Sequence, residues 1–438
     1  MSLESLTRLQ RLSQRLTPMG MRGQVTGAVG ALLEAEVPGA SIGGMCELDD
    51  GTLCEVVGVK GHTAFLVPLE ETSELRAGTH VRMLQSQLSV TVGDGLVGRI
   101  LDGLGKPLDD GQAPIRGHST LIMRNAPSPF ERGTIHLPLA TGVRAIDSML
   151  TLGRGQRIAL LAGSGVGKST LMAMLARNVN VDVTVICLVG ERGREVQEFV
   201  HDTLGEEGRK RACLVVATSD RSPALQVRSV FMATRIAEHF RAEGKHVLLL
   251  VDSITRLALA QRQIGLASGE PPTARGYTPS VFAMLPKLLE RAGAHRDGGS
   301  ITGVYTTLVE GDDIHDPIAD AVRGIVDGHV VLSRDLANRG HFPAIDILQS
   351  ISRLFTKVTD DEHRGLAGDL REIMAVWAEH EELVRLGAYA HGSDPLVDRA
   401  IRLQPAIRKF LRQGPEDVLT IPQTVQALYE VLNQPDSP

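Results

Sequence analysis

The chain has 438 residues, of which 42% are hydrophobic and 22% charged, a composition that suits about two or three globular domains with large cores. Its formal charge of −6 and its aromatic content of 3% argue against a protein that wraps duplex nucleic acid or stacks single-stranded bases. No run approaches the roughly 20 apolar residues of a membrane span, and the first residues lack the apolar core of a signal peptide. We therefore expect a cytoplasmic protein with no nucleic-acid partner.

The cysteines and histidines do not follow a metal-binding pattern. The four cysteines show no CxxC spacing, and two of them, Cys187 and Cys213, lie in apolar runs typical of buried strands. The 14 histidines are scattered, with no pair at metal-ligand spacing beside cysteines or carboxylates. We expect reduced thiols, those of Cys46 and Cys54 included, and no structural zinc.

Residues 1–23 form the first predicted element, an amphipathic helix. Leucines stand at positions 3, 6, 9, 12 and 16 and arginines at 8, 11 and 15, before Pro18 and Gly20 end the pattern. A leucine stripe this short is marginal as an isolated helix. It is equally consistent with a helix packed on its own domain and with a docking helix for a partner or an anionic membrane surface.

Three further regions follow along the chain. From 24 to 95, short apolar runs broken by glycines predict a small β-barrel domain. From 96 to 350, beginning with a loop rich in Gly, Asp and Pro, apolar strands alternate with helical segments, as in a parallel α/β sheet covered on both faces. From 351 to 438 the pattern is mostly helical, and we expect a C-terminal helical domain.

A phosphate-binding loop is the strongest signal in the sequence. The segment LLAGSGVGKST (160–170) follows an apolar strand and leads into a helical pattern, with Ala162 where the general motif begins with Gly. In such loops backbone N–H groups point at phosphate oxygens, Lys168 reaches the outer phosphates and the Ser169 hydroxyl contacts magnesium. The predicted nucleotide-binding residues are Gly163, Ser164, Gly165, Val166, Gly167, Lys168, Ser169 and Thr170.

The segment LLLVDSITR (248–256) predicts a second strand that ends at the nucleotide. Asp252 stands at the carboxyl end of this strand, where an acid can hold magnesium directly or through water. Many strands of this kind carry a second acid next in the chain to activate water, but here the next residue is Ser253. A base that activates water must therefore come from elsewhere.

The strand VTVICLVG (183–190) supplies candidates for that base, because ligands of such sheets lie beyond the carboxyl ends of the strands. Glu191 is at its tip, and Glu195 lies one helical turn further on. Either Arg192 or Arg194 could neutralise phosphate charge. These residues are equally consistent with a surface charge cluster that caps the next helix.

Several long blocks carry a family resemblance. They are LAGSGVGKST (161–170), GERGREVQEF (190–199), the stretch from LLLVDSITR to LLERAG (248–293), LVEGDDIHDPIADAVRGIVDGHVVLSR (308–334) and HFPAIDILQSISR (341–353). Together they resemble the ATPases of bacterial type III protein export, a family that includes the flagellar export ATPase and its injectisome counterparts and is related to rotary ATP synthase subunits. The likeness spans about 24–415, and the segment at 386–401 is more similar to the flagellar branch.

The resemblance implies catalytic roles for four residues. Glu191 matches the carboxylate that polarises the attacking water, and Arg192 beside it is expected to contact phosphate. Lys168 matches the phosphate-binding lysine. Arg353, in the segment SISR, matches an arginine finger that is supplied to the ATP of a neighbouring subunit.

The resemblance also implies how ATP and Mg²⁺ are held. Ser169 and Asp252 are the expected magnesium ligands. Phe342, in HFPAID, matches an aromatic residue that stacks on adenine. Rotary catalytic subunits often have Tyr there, and Phe keeps the stacking face while it loses only a hydroxyl.

The implied fold is α/β, with a P-loop, RecA-like parallel sheet as the core, an N-terminal β-barrel domain and a C-terminal helical domain. The implied function is hydrolysis of ATP, with Mg²⁺, by a homohexamer of a flagellar-type export apparatus at the cytoplasmic face of the inner membrane. Expected partners are a regulator and a stalk protein of the apparatus, export chaperones and export substrates, with peripheral membrane association in addition.

Other functions remain as alternatives, the first of them an injectisome secretion ATPase. A rotary ATP synthase catalytic subunit carries Thr where this chain has Gly193, and it lacks the block GYTPSVFAMLPKLLERAG. A Rho-like ring that translocates RNA is disfavoured by the scarcity of aromatic residues. A ring subunit that binds ATP without hydrolysing it is disfavoured by the presence of Glu191.

Overall fold

Six short antiparallel strands form a closed barrel at the start of the described chain. The computed structural model describes residues 22–29, 32–70, 76–85, 88–109, 117–309 and 316–434, so most of the predicted helix at 1–23 lies outside the described residues. The barrel strands are β1 (Arg22–Val29), β2 (Leu32–Glu36), β3 (Met45–Leu48), β4 (Leu53–Lys60), β5 (Thr63–Pro68) and β6 (His80–Gln85). Around the barrel they follow the order β1-β2-β5-β4-β3-β6.

Alternating side chains and tight turns explain why these residues form a barrel. Cys54 and Val56 of β4 are buried with Leu66 of β5 in the barrel interior, whereas the residues between them along β4 are partly exposed. Gly51 (φ 86°) and Gly61 (φ 61°) turn the chain between β3 and β4 and between β4 and β5, in a backbone region that favours glycine. The predicted N-terminal β-barrel is confirmed.

Five short strands follow the barrel. They are β7 (Ser89–Val92), β8 (Ile100–Asp102), β9 (His118–Leu121), β10 (Pro138–Leu139) and β11 (Leu152–Gly153). β7 pairs with β9 and β10 with β11, both antiparallel, whereas β8 pairs in parallel with a strand of the central sheet. The chain therefore contributes an edge strand to the central sheet before it reaches the phosphate loop.

Among the described residues, the central sheet has nine strands and is mostly parallel. Besides β8 they are β12 (Arg157–Ala162), β13 (Val183–Val189), β14 (Ala212–Ala217), β15 (His246–Asp252), β16 (Gly293–Ala294), β17 (Ser300–Leu308), β18 (Gly328–Leu332) and β19 (Ile345–Ser352). Their order is β19-β18-β12-β17-β15-β13-β14-β8, with β16 on β17. Only β16 and β19 run antiparallel to their neighbours, so β12, β13, β15 and β17 all end at the same edge.

Helices cover both faces of this sheet. Up to residue 358 they are α1 (Arg144–Met149), α2 (Lys168–Asn178), α3 (Gly193–Glu198), α4 (Gly205–Lys210), α5 (Pro223–Ala242), α6 (Ile254–Ala267), α7 (Pro279–Leu289), α8 (Pro317–Ile325), α9 (Arg334–Asn338) and α10 (Phe355–Val358). Val185 and Cys187 of β13 pack in the cluster that contains α5 to α8. The alternate residues Ile186 and Leu188 pack with α1 and α2 on the other face. Burial on both faces explains the near-continuous apolar strands.

Three helices form the C-terminal region, α11 (Asp361–Arg385), α12 (Pro395–Leu411) and α13 (Ile421–Leu432). The side chains of Asp360, Asp394 and Thr420 cap their N-termini by accepting hydrogen bonds from backbone N–H groups. Leu403 and Leu428 are buried in the cluster that also holds α2. The helical region packs on α1, and α11 also packs on β19. The predicted C-terminal helical domain and α/β core are confirmed.

Two properties of the described residues concern the surroundings of the protein. None of the described helices combines the length and the apolar character that crossing a membrane requires. The four cysteines are buried and free of disulfides, and burial raises the pKa of the Cys46 thiol to about 11.

Candidate active site

The phosphate loop connects the carboxyl end of β12 to the N-terminus of α2. Gly165 (φ 77°) and Gly167 (φ 93°) adopt left-handed backbone conformations, which other residues rarely do. A side chain at Gly167 would also stand 3.4 Å from Cδ1 of Phe342. The first backbone N–H groups of α2 lack partners within the helix and point toward its N-terminus, which makes the loop suitable for an anion.

Lys168 brings the two sequence-predicted acids together. Its Nζ lies 2.5 Å from Oδ1 of Asp252 and 3.7 Å from Oε1 of Glu191. Asp252 ends β15, Glu191 follows β13, and Lys168 lies at the end of the loop that follows β12. They are close because these strands are parallel and belong to one sheet. The structure therefore places one cation and two carboxylates at the point where the phosphate loop begins its helix.

Glu191 has an environment suited to a general base. Burial, together with the negative charge of Asp252, raises the pKa of Glu191 to about 7, although the neighbouring Lys168 ammonium acts in the opposite direction. Its Oε1 is buried and accepts no hydrogen bond from the described residues. A carboxylate that titrates near neutral pH and has an oxygen without a hydrogen-bond donor can accept a proton from water.

Ser253 stands where many strands of this kind carry a second acid, and in this chain it begins a helix. Its side chain is fully buried and accepts a hydrogen bond from the backbone N–H of Arg256 at 3.3 Å, which caps α6. Asp252 is positioned in turn by Thr306, whose hydroxyl donates to Oδ1 at 2.6 Å. Ser253 therefore has a structural role, and Asp252 is the only acid that the segment 248–256 contributes to the site.

A cleft of about 810 Å³ opens in front of these residues, a volume within the range of ~300–1,000 Å³ that small-molecule sites occupy. The sequence-predicted residues that line it are Gly163, Ser164, Gly165, Gly167, Lys168, Ser169, Thr170, Glu191, Arg192, Glu195 and Asp252. Val166 is the exception in the loop, because its side chain is buried in the core.

Two arginines in the cleft were missed by the sequence reasoning, Arg256 and Arg334. Arg256 lies in the first turn of α6, and its positive charge lowers the pKa of Glu191. It packs so closely on Gly190 that a side chain there would stand 2.8 Å from Cβ of Arg256. The only sequence signal was its spacing, one helical turn beyond Asp252.

The two arginines beside Glu191 differ in position. Arg192 lines the cleft, is largely exposed and has its Nε 3.9 Å from a carboxylate oxygen of Glu195. Arg194 forms an ion pair with Glu198 on its own helix at 2.7 Å and does not line the cleft. Of the two candidates for neutralising phosphate charge, only Arg192 is placed at the site.

Phe342 lies beside the phosphate loop with its ring next to Gly167 and 44% of its surface exposed. Its carbonyl accepts a hydrogen bond of 2.8 Å from the backbone N–H of Gln413, which follows α12. Phe342 is not among the residues that line the cleft, but its half-exposed ring beside the phosphate loop offers a flat face to a nucleotide base.

Arg353 does not reach the cleft of its own chain. It follows β19, which runs antiparallel to β18, and its guanidinium donates to the carbonyls of Val326 and Arg323, both at 3.2 Å. Leu332 of β18 pairs with Ala162 at the end of β12. Ser352, next to Arg353, pairs with Gly328, which lies four residues before Leu332 on β18. At ~3.3 Å per residue, this is ~13 Å along the sheet from the phosphate loop.

Family comparisons cover all three regions of the chain. Residues 142–352 match the family described as the ATP synthase alpha/beta family, nucleotide-binding domain. Residues 25–85 match the beta-barrel domain of the same family, and residues 359–430 match the T3SS EscN ATPase C-terminal domain. The last match sets the chain apart from a general ATP synthase subunit.

Curated relatives of two kinds resemble the chain over nearly its whole length. A flagellum-specific ATP synthase of Treponema pallidum (strain Nichols) is 50% identical over 94% of this chain and 93% of its own length. A flagellum-specific ATP synthase of Bacillus subtilis (strain 168) is 45% identical, over 93% and 94%. The SPI-2 type 3 secretion system ATPase of Salmonella typhimurium (strain LT2) is 47% identical, over 94% and 95%.

Two solved structures share the fold. One is the assembled ATPase EscN of the enteropathogenic E. coli type III secretion system, with a TM-score of 0.90, 42% identity and coverage of 94% of this chain and all of that chain. The other is the assembled EscN in complex with its central stalk EscO, with a TM-score of 0.87 and the same identity and coverage. Sequence and structure comparisons therefore agree across the barrel, the sheet and the helical region.

Proposed function

The chain belongs to the family of flagellum-specific and type III secretion ATPases and is an ATP hydrolase; we propose that Glu191 is its catalytic base and that its hydrolysis of ATP supports protein export. The observation that carries the proposed site is the grouping of Glu191, Lys168 and Asp252 at the start of the phosphate-loop helix. One carboxylate there has a pKa near 7, and the other is paired with the lysine. Two acids with different surroundings suit two different roles.

The proposed reaction is the attack of water on the γ-phosphorus of ATP. Glu191 accepts a proton from the water, the bond from the γ-phosphorus to the bridging oxygen breaks, and ADP leaves with phosphate. Lys168 and the backbone N–H groups of the loop hold the phosphates. Arg192 and Arg256, both in the cleft, add positive charge where the γ-phosphoryl oxygens become more negative.

The residues present fit a bound magnesium ion. The Ser169 hydroxyl and the Asp252 carboxylate line the same cleft, and both are hard oxygen donors of the type Mg²⁺ prefers. When bound, magnesium neutralises charge on the β- and γ-phosphate oxygens. Phe342, whose ring lies beside Gly167 of the phosphate loop, is proposed to stack on the adenine ring.

The position of Arg353 supports a ring assembly as part of this proposal. Its guanidinium faces away from its own phosphate loop, so we propose that it serves the ATP of a neighbouring copy in a homohexamer. The EscN structures, which are described as assembled, support a multimeric form. An added guanidinium of this kind accelerates other nucleotide hydrolases by about 10³–10⁵-fold, so ring formation would switch hydrolysis on.

The proposed setting is a flagellar-type export apparatus at the cytoplasmic face of the inner membrane. The partners proposed are a stalk protein, by analogy with the EscN complex, a regulator of the apparatus, export chaperones and export substrates. Relatives from injectisomes are nearly as similar, so an injectisome ATPase is the alternative. Adjacent genes for flagellar rod and hook proteins would assign the flagellar system, and adjacent injectisome genes would assign the alternative.

The test of the proposed base is Glu191→Gln, which keeps the shape of the side chain and removes its ability to take a proton. We expect nucleotide binding close to that of the wild type and a loss of about 10²–10⁴-fold in phosphate release. The matched control is Glu198→Gln, at an acid that also lines the cleft but is half exposed. Turnover that is unchanged in Glu191→Gln, or lost equally in both variants, would contradict the assignment.

A further inference from the structure

Thr306 is a buried hydroxyl group between the two strands that carry the site. It lies on β17, which is hydrogen-bonded to β12 on one side and to β15 on the other. It is fully buried, and its Oγ1 lies 2.6 Å from Oδ1 of Asp252 and 3.3 Å from the carbonyl oxygen of Val251. Because the carboxylate is charged and closer, the hydroxyl proton is donated to Asp252.

Two donors meet on one oxygen of Asp252. Lys168 Nζ and Thr306 Oγ1 both donate to Oδ1, at 2.5 and 2.6 Å. Among the hydrogen bonds of the described residues, none ends on Oδ2. The carboxylate is thus held in one orientation by one of its oxygens, and the other oxygen is left for a ligand.

The two donors respond differently when a nucleotide binds. The Lys168 ammonium lies in the cleft, 3.7 Å from Glu191 as well, and phosphate oxygens compete for it. Thr306 is enclosed within the sheet and does not line the cleft. Its branched side chain in a strand has little χ1 freedom, so its hydroxyl stays in place. Thr306 is therefore the donor that remains on Asp252 in the loaded site.

We propose that Thr306 is a positioning residue for the magnesium-binding carboxylate: by holding Oδ1 of Asp252 it keeps Oδ2 directed to the metal or to a water bound to the metal. The inference rests on the proposed function, in which Asp252 is a magnesium ligand. Partners of metal ligands in such positions orient the ligand and keep its binding geometry when other contacts change.

The adjacent Thr307 provides a matched control. It is also fully buried, and its Oγ1 has no hydrogen-bond partner among the described residues. As the next residue on β17, it faces the opposite side of the sheet. Thr306→Val and Thr307→Val therefore remove the same hydroxyl from equally buried positions, and only the first removes a contact to Asp252.

The experiment measures equilibrium binding of a fluorescent ADP analogue to the full-length variants, in EDTA and over a range of Mg²⁺ concentrations. For Thr306→Val we expect unchanged binding in EDTA and a rise of about 10–100-fold in the Mg²⁺ concentration that gives half of the magnesium-dependent effect. Thr307→Val and the hydroxyl-retaining Thr306→Ser should resemble the wild type. A Thr306→Val variant that responds to Mg²⁺ as Thr307→Val does would overturn the proposal.

Two further measurements keep this result separate from the proposed function. If Asp252→Asn retains the magnesium response of the wild type, the assignment of Asp252 is wrong and the role of Thr306 fails with it. If Asp252→Asn loses the response and Thr306→Val keeps it, only the inference about Thr306 fails. If Thr306→Val does not fold, the same measurement is made on Thr306→Ala and Thr306→Ser. Both lack the methyl group, and they differ in the hydroxyl, so a difference in their Mg²⁺ response supports the role of the hydroxyl and an equal response contradicts it.

Discussion

Glu191 and Glu195 follow the same strand, but their surroundings differ. The side chain of Glu191 is 14% exposed and lies next to Lys168, whereas that of Glu195 is 49% exposed and lies near Arg192. Spacing alone left both acids open as the base, because a tip position and a position one turn later can both face a ligand, whereas the family resemblance implied Glu191. Burial separates them, since it raises the pKa of Glu191 to about 7.

This pKa predicts the pH dependence of hydrolysis. Below about pH 7 Glu191 holds a proton and cannot accept one from water, so kcat/KM for ATP should rise as the pH increases through about 7 and then level off. A pH profile of steady-state phosphate release measures this limb. Glu198→Gln, at a half-exposed acid of the same cleft, should retain the rising limb. A wild-type profile that stays flat from about 1.5 pH units below this pKa to about 1 unit above it would contradict a base with this pKa.

At the scale of elements, the loop after α12 fastens the helical region to the nucleotide domain. Gln413 is buried, and its side-chain Oε1 accepts from the backbone N–H of Arg144 at 2.8 Å while its Nε2 donates to the carbonyl of Gly142 at 2.6 Å. Its own backbone N–H holds the carbonyl of Phe342. One residue therefore connects the C-terminal helices to α1 and to the residue proposed to stack on the base.

Replacement of this residue should affect both stability and nucleotide affinity. Gln413→Ala leaves the N–H of Arg144 and the carbonyl of Gly142 without their partner, at about 1–3 kcal/mol for each buried group. We expect a lower melting temperature. We also expect a higher KM for ATP, because the backbone N–H of residue 413, which holds the carbonyl of Phe342, is placed less firmly once the side-chain contacts are lost. Gln426→Ala, at an exposed glutamine of α13 that contacts Glu430, is the control. Equal melting temperatures for the two variants would show that Gln413 does not fasten the domains.

At the scale of the whole molecule, one chain does not contain the complete proposed site. The phosphate loop, Glu191 and Asp252 lie at one edge of the sheet, and Arg353 lies ~13 Å away along the sheet, as the strand spacing of ~3.3 Å per residue requires. In the proposed arrangement, a second copy brings its Arg353 to the phosphates. Activity is thus expected to depend on protein concentration, because it depends on assembly.

Mixed assemblies test this arrangement. Arg353→Ala and Glu191→Gln should each be nearly inactive alone, yet assemblies formed from both should regain activity, because some interfaces then combine an intact Glu191 with an intact Arg353. Phosphate release after mixing measures the recovery. Arg385→Ala, at an exposed arginine of α11, should remain active by itself. Two variants that stay inactive when mixed, although chromatography shows that they co-assemble, would argue against an arginine supplied by a neighbour.

Much of this protein is determined by local sequence. The barrel, the parallel sheet and the C-terminal helices were predicted from the spacing of apolar residues and are confirmed, since such periodicity reflects which faces must be buried. The phosphate loop is equally local, because its glycines and Lys168 act within one strand–turn–helix unit. The individual domain boundaries stay predictions, and the structure adds that β8 already belongs to the central sheet.

The tertiary structure alone decided what depends on contacts between distant residues. Thr306 lies 54 residues from Asp252 in the chain, and no periodicity reveals that the two are side by side in adjacent strands. The same holds for the different burial of Glu191 and Glu195, and for Gln413, which contacts a segment 271 residues away. Local patterns specify elements, whereas sheet order and register bring their ends together, and the chemistry of this site is made at those ends.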